Sequence, residues 1–168
     1  SRKGVITKLK PKLTEDDFVT EIIETVRGEG GLQNLFEADI IVAGGRGTVS
    51  DDMKLVKDLT AALNEQGVNA EWASSRPVVD EGVAEYARQI GQTGKTVRPK
   101  VYVAIGISGA VQHIAGMKES ETIVAINHNA KETIFANADF GVVGEYQDVL
   151  PELIEQVKNG FTFGLEVK

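Results

Sequence analysis

Two kinds of hydrophobic spacing alternate along the chain. Short apolar runs predict strands at residues 40–43, 101–105, 122–126 and 140–143, of which 101–105 should be buried; residues 69–73, which end at the turn signal Ser74-Ser-Arg-Pro77, are also predicted to form a strand. Between these runs, apolar residues recur every three or four positions, which predicts helices. Because strands and helices alternate, we expect an α/β fold with a doubly wound parallel sheet, helices on both faces and a Rossmann-like plan.

Five helices are predicted from this spacing. Thr14 and Asp17 resemble a capping box before the first helix, Ser50 can cap the second, and Ser108 can begin the fourth. Pro151 is placed in the first turn of the last helix, where proline removes no backbone hydrogen bond. The first helix is defined by the apolar residues Phe18, Ile22, Ile23 and Val26, and the second by Met53, Val56, Leu59, Ala62 and Leu63. The third is defined by Val79, Val83, Tyr86, Ala87 and Ile90, and the fifth by Val149, Leu150, Leu153, Ile154 and Val157.

The predicted elements fit one globular domain. Residues 35–168 should form it, and residues 1–34 should be an N-terminal extension whose helix packs on the domain. In a parallel sheet the carboxyl ends of the strands lie along one edge, and ligands bind there near a switch in strand order. The loops that follow the predicted strands should therefore gather around one site.

Composition removes several classes of function. The chain has 168 residues and a formal net charge of -7, which argues against general binding of nucleic acid. It has no cysteine and only two histidines, so thiolate metal sites, disulfides and histidine-rich metal cages are excluded. No apolar run approaches the roughly 18 residues that a membrane helix needs, so no membrane insertion is expected.

A glycine-rich stretch runs from Gly91 to Lys95 and resembles a loop that binds nucleotide triphosphates. That motif needs a further glycine at the position of Gln89, and it should follow a strand, whereas a helix is predicted here. The alternative is an ordinary glycine turn.

A second glycine-rich stretch, Gly106-Ile-Ser-Gly-Ala110, follows the central predicted strand. It resembles the nucleophile elbow of a hydrolase, in which Ser108 would act with His128 and Asp139. The order of acid and base along the chain does not fit that fold. Ser108 and its neighbouring amides can instead receive a phosphate, or Ser108 can be a plain helix cap.

Five stretches in a fixed order carry a family resemblance. They are Gly44-Gly-Arg-Gly47, Ser75-Arg76, Ile90-Gly-Gln-Thr-Gly-Lys95, the stretch from Ile105 to Met117, and Ile123-Val-Ala-Ile-Asn127. Together they resemble the C-terminal FAD-binding domain of the electron transfer flavoprotein alpha subunit, over roughly residues 35–160. The amino-terminal domain usual in that subunit does not appear in this sequence, so the chain resembles an isolated domain.

The resemblance implies a role for each matching residue. Arg46, Ser75 and Arg76 should contact FAD, with Arg76 against the flavin ring. The glycine loop should place Thr93 near flavin N5, and His113 should lie near the C2 carbonyl, protonated so that it stabilises negative charge. Ser108 and the residues after it should receive the pyrophosphate and ribityl chain, and Asn127 and Glu145 the adenosine end. The full set of expected cofactor-binding residues is Arg46, Ser75, Arg76, Ile90, Gly91, Gln92, Thr93, Gly94, Ser108, Gly109, Ala110, Val111, Gln112, His113, Asn127 and Glu145.

The implied function is to carry one or two electrons on FAD between dehydrogenases and an acceptor, with no substrate turnover of its own. The implied partners are the electron transfer flavoprotein beta subunit, in a heterodimer, and acyl-CoA dehydrogenase or a similar flavin dehydrogenase. A bacterial or archaeal cytoplasm is expected rather than a mitochondrial matrix. The sequence leaves two other hypotheses open: a hydrolase or nucleotide-binding enzyme that uses Ser108, and a domain that has lost its cofactor.

Overall fold

Parallel pairing joins five short strands into one sheet in the computed structural model of the protein, which describes residues 4, 6–12, 14 and 33–165. The order across the sheet is β2-β1-β3-β4-β5. All five predicted strands are confirmed, with small differences in their bounds. The strands are β1 (Ile40–Gly44), β2 (Ala70–Ser74), β3 (Val101–Ile105), β4 (Thr122–Asn127) and β5 (Phe140–Val143).

Helices and short segments of 3-10 helix connect the strands. The α-helices are α1 (Gln33–Glu37), α2 (Lys54–Glu65), α3 (Arg76–Asp80), α4 (Val111–Ile114) and α5 (Tyr146–Lys158). The 3-10 turns are Arg46–Asp51, Tyr86–Arg88 and Thr133–Asn137. The predicted helix through Phe18 and Val26, with Asp17 of its capping box, lies outside the described residues.

Apolar side chains cover both faces of the sheet. On one face, the buried stripes of α2 and α5, which include Leu59 and Leu150, pack against β1 and β3 residues such as Val42. On the other face, Met117 and Ile134 belong to a second cluster built around the β1 and β3 side chains that point the opposite way. Each large apolar side chain buried in this way stabilises the fold by roughly 1.5–3 kcal/mol. The prediction of helices on both faces is confirmed.

The predicted helix over residues 79–90 is wrong. α3 ends at Asp80, and the chain turns where the Gly82 amide donates to the Val79 carbonyl (2.9 Å). The following segment is drawn to the edge of the sheet, since Gln89 forms an isolated parallel bridge with Ser74 at the end of β2. Two short pieces therefore replace one helix.

Two other expected helix features are also wrong. Ser50 lies inside a 3-10 turn and does not cap α2, which begins at Lys54 after Met53 in a left-handed conformation (φ 57°). Pro151 lies in the second turn of α5, because that helix begins at Tyr146. The amide that proline lacks would have faced a carbonyl in the first turn, so one helical hydrogen bond is missing.

Strand order reverses between β1 and β3, because β1 continues to β2 on one side and the later strands follow on the other. The register aligns Gly44 with Ser74 and Ile105, and Ile105 with Ile126, so four strands end at the same edge. A crevice at such a reversal is where ligands bind in open parallel sheets. Within the described part of the chain, no helix has the length and apolar character to cross a membrane.

Candidate functional site

A cleft of about 710 Å³ lies along the carboxyl edge of the sheet. The loops that follow β1 and β3 line it at the reversal of strand order, and it extends from the start of α3 to the start of α5. This volume is in the range of cavities that hold cofactors and other small molecules. The described structure therefore places a ligand-sized site where the topology predicts one.

The β1 and β3 loops approach each other so closely that side chains are excluded between them. The Gly45 amide donates to the Ile105 carbonyl (2.7 Å), and a Cβ added at Gly45 would lie 2.1 Å from the Gly106 carbonyl oxygen. Gly106 itself has φ 61°, in the left-handed region. Bare backbone in this place lets a bulky group such as a phosphate approach the main chain.

The loop after β3 is fixed by the segment that follows β4. The Ser108 carbonyl accepts hydrogen bonds from the Thr133 hydroxyl (2.9 Å) and the Ile134 amide (3.0 Å). Ser108 does not begin a helix as predicted, because α4 starts at Val111 after Ala110. The carbonyl of Ser108 is tied to a neighbouring segment, while its side chain stays exposed at the cleft.

All but three of the predicted binding residues line this cleft. Gly94 faces the backbone behind its turn, while Gly109 and Val111 line a separate shallow depression beside Ile114. The predicted residues that the cleft brings together are Arg46, Ser75, Arg76, Ile90, Gly91, Gln92, Thr93, Ser108, Ala110, Gln112, His113, Asn127 and Glu145.

Several lining residues were not predicted from the sequence. Some are direct neighbours of predicted residues at strand ends, so their position after a strand was an available signal. Tyr146 and Gln147 reach the cleft only because α5 begins there, and Gln89 because its turn folds back onto β2. The unpredicted lining residues are Gly47, Pro77, Gln89, Gly106, Ile107, Ile126, His128, Glu132, Gly144, Tyr146 and Gln147.

His113 and Tyr102 form a buried pair at the inner wall of the cleft. The His113 Nε2 and the Tyr102 hydroxyl are 3.0 Å apart. Burial lowers the pKa of His113 to about 4, and the backbone of Ile90 opposes this effect only in part. The expectation of a protonated His113 is therefore wrong for this structure, in which the imidazole is neutral near pH 7.

The pair also determines which imidazole nitrogen carries the proton. Burial raises the pKa of Tyr102 above its usual value, so its hydroxyl keeps its proton, and His113 is its only partner among the described residues. Tyr102 therefore donates to Nε2, and the neutral ring carries its proton on Nδ1. Nδ1 is buried. The Ile90 backbone favours a proton on the ring, but neither it nor any other described residue makes a hydrogen bond of ordinary geometry to Nδ1, which is costly unless a bound group satisfies it.

Charged side chains lie at the two ends of the cleft. Arg46 and Arg76 are exposed at one end, where the Arg76 Nε is 3.3 Å from the Asp80 carboxylate. Glu132 and Glu145 line the other end. The positive end suits a group that carries or acquires negative charge, and the acidic end suits hydroxyl donors such as those of a ribose.

Asn127, at the end of β4, links two loops of the cleft. Its amide nitrogen donates to the Ile107 carbonyl (3.0 Å), and its side-chain oxygen accepts from the Asn129 amide (3.0 Å). One N–H and one lone pair remain for a ligand. The residue therefore positions the loops as well as lining the site.

Neither nucleotide triphosphate hydrolysis nor ester hydrolysis fits this geometry. The Gly91–Lys95 turn follows a 3-10 turn, whereas a triphosphate loop follows a strand. No hydrogen bond joins Ser108 to a histidine within residues 33–165, and His113 is committed to Tyr102. The described structure does not support the hydrolase alternative.

Comparison with known sequences agrees with the geometry. The sequence profile described as the electron transfer flavoprotein FAD-binding domain matches residues 34–118. The chain belongs to the electron transfer flavoprotein FAD-binding domain family. Its cofactor is accordingly FAD, and the predicted family resemblance is confirmed.

Bacterial proteins are among the relatives that the chain matches. Electron transfer flavoprotein subunit alpha of Thermoanaerobacterium thermosaccharolyticum is 46% identical over 159 residues, which cover 94% of this chain and 47% of the relative. Protein FixB of Clostridium saccharobutylicum is 44% identical over 91% of this chain and 45% of the relative. The acryloyl-CoA reductase electron transfer subunit beta of Anaerotignum propionicum is 42% identical over 88% and 40%. The chain thus spans somewhat less than half the length of these curated relatives.

The cleft of this electron transfer flavoprotein FAD-binding domain fits FAD in three respects. Its volume is adequate, the glycine crevice admits a diphosphate, and the orphaned Nδ1 of His113 is a neutral donor for a ring carbonyl. When bound, FAD supplies reversible uptake of electrons, which no side chain of the protein provides.

Proposed function

We propose that the domain holds one FAD in this cleft and carries one or two electrons on it, as part of the alpha subunit of an electron transfer flavoprotein. The observation that carries the proposal is the meeting of the glycine loops after β1 and β3 at the strand-order reversal, in a chain of this family. The domain would correspond to residues 35–168, with residues 1–34 as an extension.

The proposed orientation puts the flavin ring beside Arg76 and the diphosphate beside Ser108. The exposed guanidinium of Arg76 favours added negative charge at the ring, so it should raise the reduction potential. His113 would act as a neutral hydrogen-bond donor through Nδ1. Asn127 and Glu145 would face the adenosine end.

We also propose the partners. A beta subunit would complete a heterodimer, and a flavin dehydrogenase such as an acyl-CoA dehydrogenase would deliver electrons. The relative named as an electron transfer subunit of acryloyl-CoA reductase supports a redox partner that works on CoA esters. The domain would turn over no substrate itself and would reside in the cytoplasm of a bacterium or archaeon, in keeping with bacterial relatives.

Reconstitution with FAD tests the proposal directly. The protein should bind one FAD per chain, with shifted visible absorbance, and it should accept electrons reversibly from dithionite. Arg76→Ala should weaken FAD binding by about fivefold, equivalent to about 1 kcal/mol for an exposed charge, and should lower the reduction potential. Arg98→Ala is the matched control, because Arg98 is exposed and lies outside the cleft.

Two results would contradict the proposal. If the correctly folded protein did not bind FAD, the proposed function would be refuted as a whole. Equal reduction potentials in wild type and Arg76→Ala would contradict the proposed orientation, in which the ring lies beside Arg76, but would not contradict FAD binding itself.

A further inference from the structure

Gln89 is a buried polar side chain at the inner wall of the cleft, with 3% of its surface exposed. Its backbone is anchored on both sides. Its amide donates to the Tyr86 carbonyl (3.1 Å), its carbonyl accepts from the Lys95 amide (2.7 Å), and it bridges to Ser74 at the end of β2. Gln89 is therefore held by the sheet and has little freedom to adapt to a ligand.

The side chain of Gln89 is directed at a single cleft residue. Its Nε2 donates to the Thr93 Oγ1 at 3.0 Å. A threonine hydroxyl has one proton to donate and two lone pairs, and the amide occupies one lone pair. No described residue accepts the Thr93 proton, and Thr93 lines the cleft. The hydroxyl is thus left as a donor toward whatever occupies the cleft.

The backbone around Thr93 is fixed separately. The Tyr86 hydroxyl donates to the Thr93 carbonyl, and the Gly94 amide closes the turn onto the Gly91 carbonyl (3.0 Å). A Cβ at Gly94 would lie 2.2 Å from the Gln89 carbonyl oxygen, so only glycine permits this packing. Because these contacts hold the main chain, the bond from Gln89 mainly sets the direction of the Thr93 hydroxyl.

We propose that Gln89 is a positioning residue that orients the Thr93 hydroxyl as a hydrogen-bond donor to an acceptor atom of the bound flavin ring. The inference rests on the proposed function, since it requires FAD in the cleft with its ring beside the Gly91–Lys95 turn. It adds a residue that acts through Thr93 and that has no contact with FAD assigned to it.

The test uses the FAD-loaded protein and a double-mutant cycle. Gln89→Met removes the donor at similar length, and Thr93→Val removes the hydroxyl at similar volume. Each should weaken FAD binding about fivefold, the equilibrium equivalent of one ordinary hydrogen bond, and each should shift the visible absorption of the flavin and its reduction potential. The double variant should match Thr93→Val alone, because Gln89 acts only through the hydroxyl.

Two further variants separate orientation from structural support. Gln89→Glu gives a carboxylate that accepts the Thr93 proton, so its spectrum and FAD affinity should resemble those of Thr93→Val. Gln89→Glu also tests the positioning role if Gln89→Met does not fold. Gln156→Met is the matched control, since Gln156 is exposed on α5 and lies outside the cleft, and it should behave as wild type.

The outcomes distinguish this inference from the proposed function. Additive losses in the double variant, or wild-type spectra in both Gln89 variants, would overturn the positioning role while leaving FAD binding in place. Wild-type behaviour of Thr93→Val would overturn it too. Absence of FAD binding by the wild type would instead overturn the proposed function.

Discussion

Acidification should weaken the FAD-free protein through His113 in particular. The pKa of this side chain falls from an ordinary 6.5 to about 4 in the folded state, because burial disfavours the charged ring. Between these values the unfolded chain binds the proton and the folded chain does not, so stability falls as pH falls. The stabilisation is complete above pH 6.5 and is lost progressively down to about pH 4.

The size of the effect follows from the pKa difference. A gap of about 2.5 pH units corresponds to about 3 kcal/mol, of which about 2 kcal/mol should be lost between pH 8 and pH 5. For a domain with a total stability of about 5–15 kcal/mol, this is a large share. With a urea m-value of about 1–3 kcal/mol/M, the midpoint of unfolding should move by about 1 M.

Urea titration followed by tryptophan fluorescence can measure this loss. Trp72 is the only tryptophan and is partly buried beneath the Arg88 guanidinium, so its emission should change on unfolding. His113→Gln should lose about 2 kcal/mol less than wild type between pH 8 and pH 5. His128→Gln, which leaves His113 in place, is the matched control and should keep the wild-type difference. Equal losses in wild type and His113→Gln would refute the reasoning.

Smaller changes test other parts of the site. Tyr102→Phe should cost about 1–3 kcal/mol in urea titration, because it leaves the His113 Nε2 buried and unpaired; no loss would contradict the pairing. Gly45→Ala should weaken FAD binding at least about tenfold, since its Cβ meets the Gly106 carbonyl, whereas Gly4→Ala, with nothing within 4 Å, should not. The binding penalty of Arg76→Ala should shrink as salt rises from about 0.05 to about 0.5 M, because exposed charges are screened; a constant penalty would place Arg76 in a desolvated contact.

The strands could be predicted because each is short and, at the centre of the sheet, buried on both faces. All five residues of β3 are buried, so its sequence is a continuous apolar run without alternation. Hydrophobic spacing alone could not show that the helix predicted from Val79 to Ile90 does not form. Val79 packs on the α2 face of the sheet, while Ile90 belongs to the cluster on the opposite face. A single helix cannot reach both faces, and only the tertiary structure shows this.

The site was predictable to the extent that it depends on strand ends. Parallel register brings Gly44, Ile105 and Asn127 to one edge, and the family motifs lie in those loops. The charge of His113 was not predictable, because it depends on how deeply Tyr102 and its neighbours bury the ring. The proposed positioning role of Gln89 was not predicted either, because it also depends on tertiary structure. The side chain of Gln89 lines the cleft only after the turn folds onto β2.

The cleft separates its charged groups from its neutral donors. Exposed arginines stand at the rim, where water weakens their attraction for a ligand but charge costs little to maintain. The buried imidazole of His113 and the hydroxyl of Thr93, whose residue is exposed, are neutral donors whose directions are set by buried partners, Tyr102 and Gln89. Neutral donors avoid the desolvation cost of buried ions and do not have to reorient when the charge of the cofactor changes. In such a site the charges of the rim arginines can favour electron uptake by the cofactor, while the neutral donors keep one geometry in both redox states.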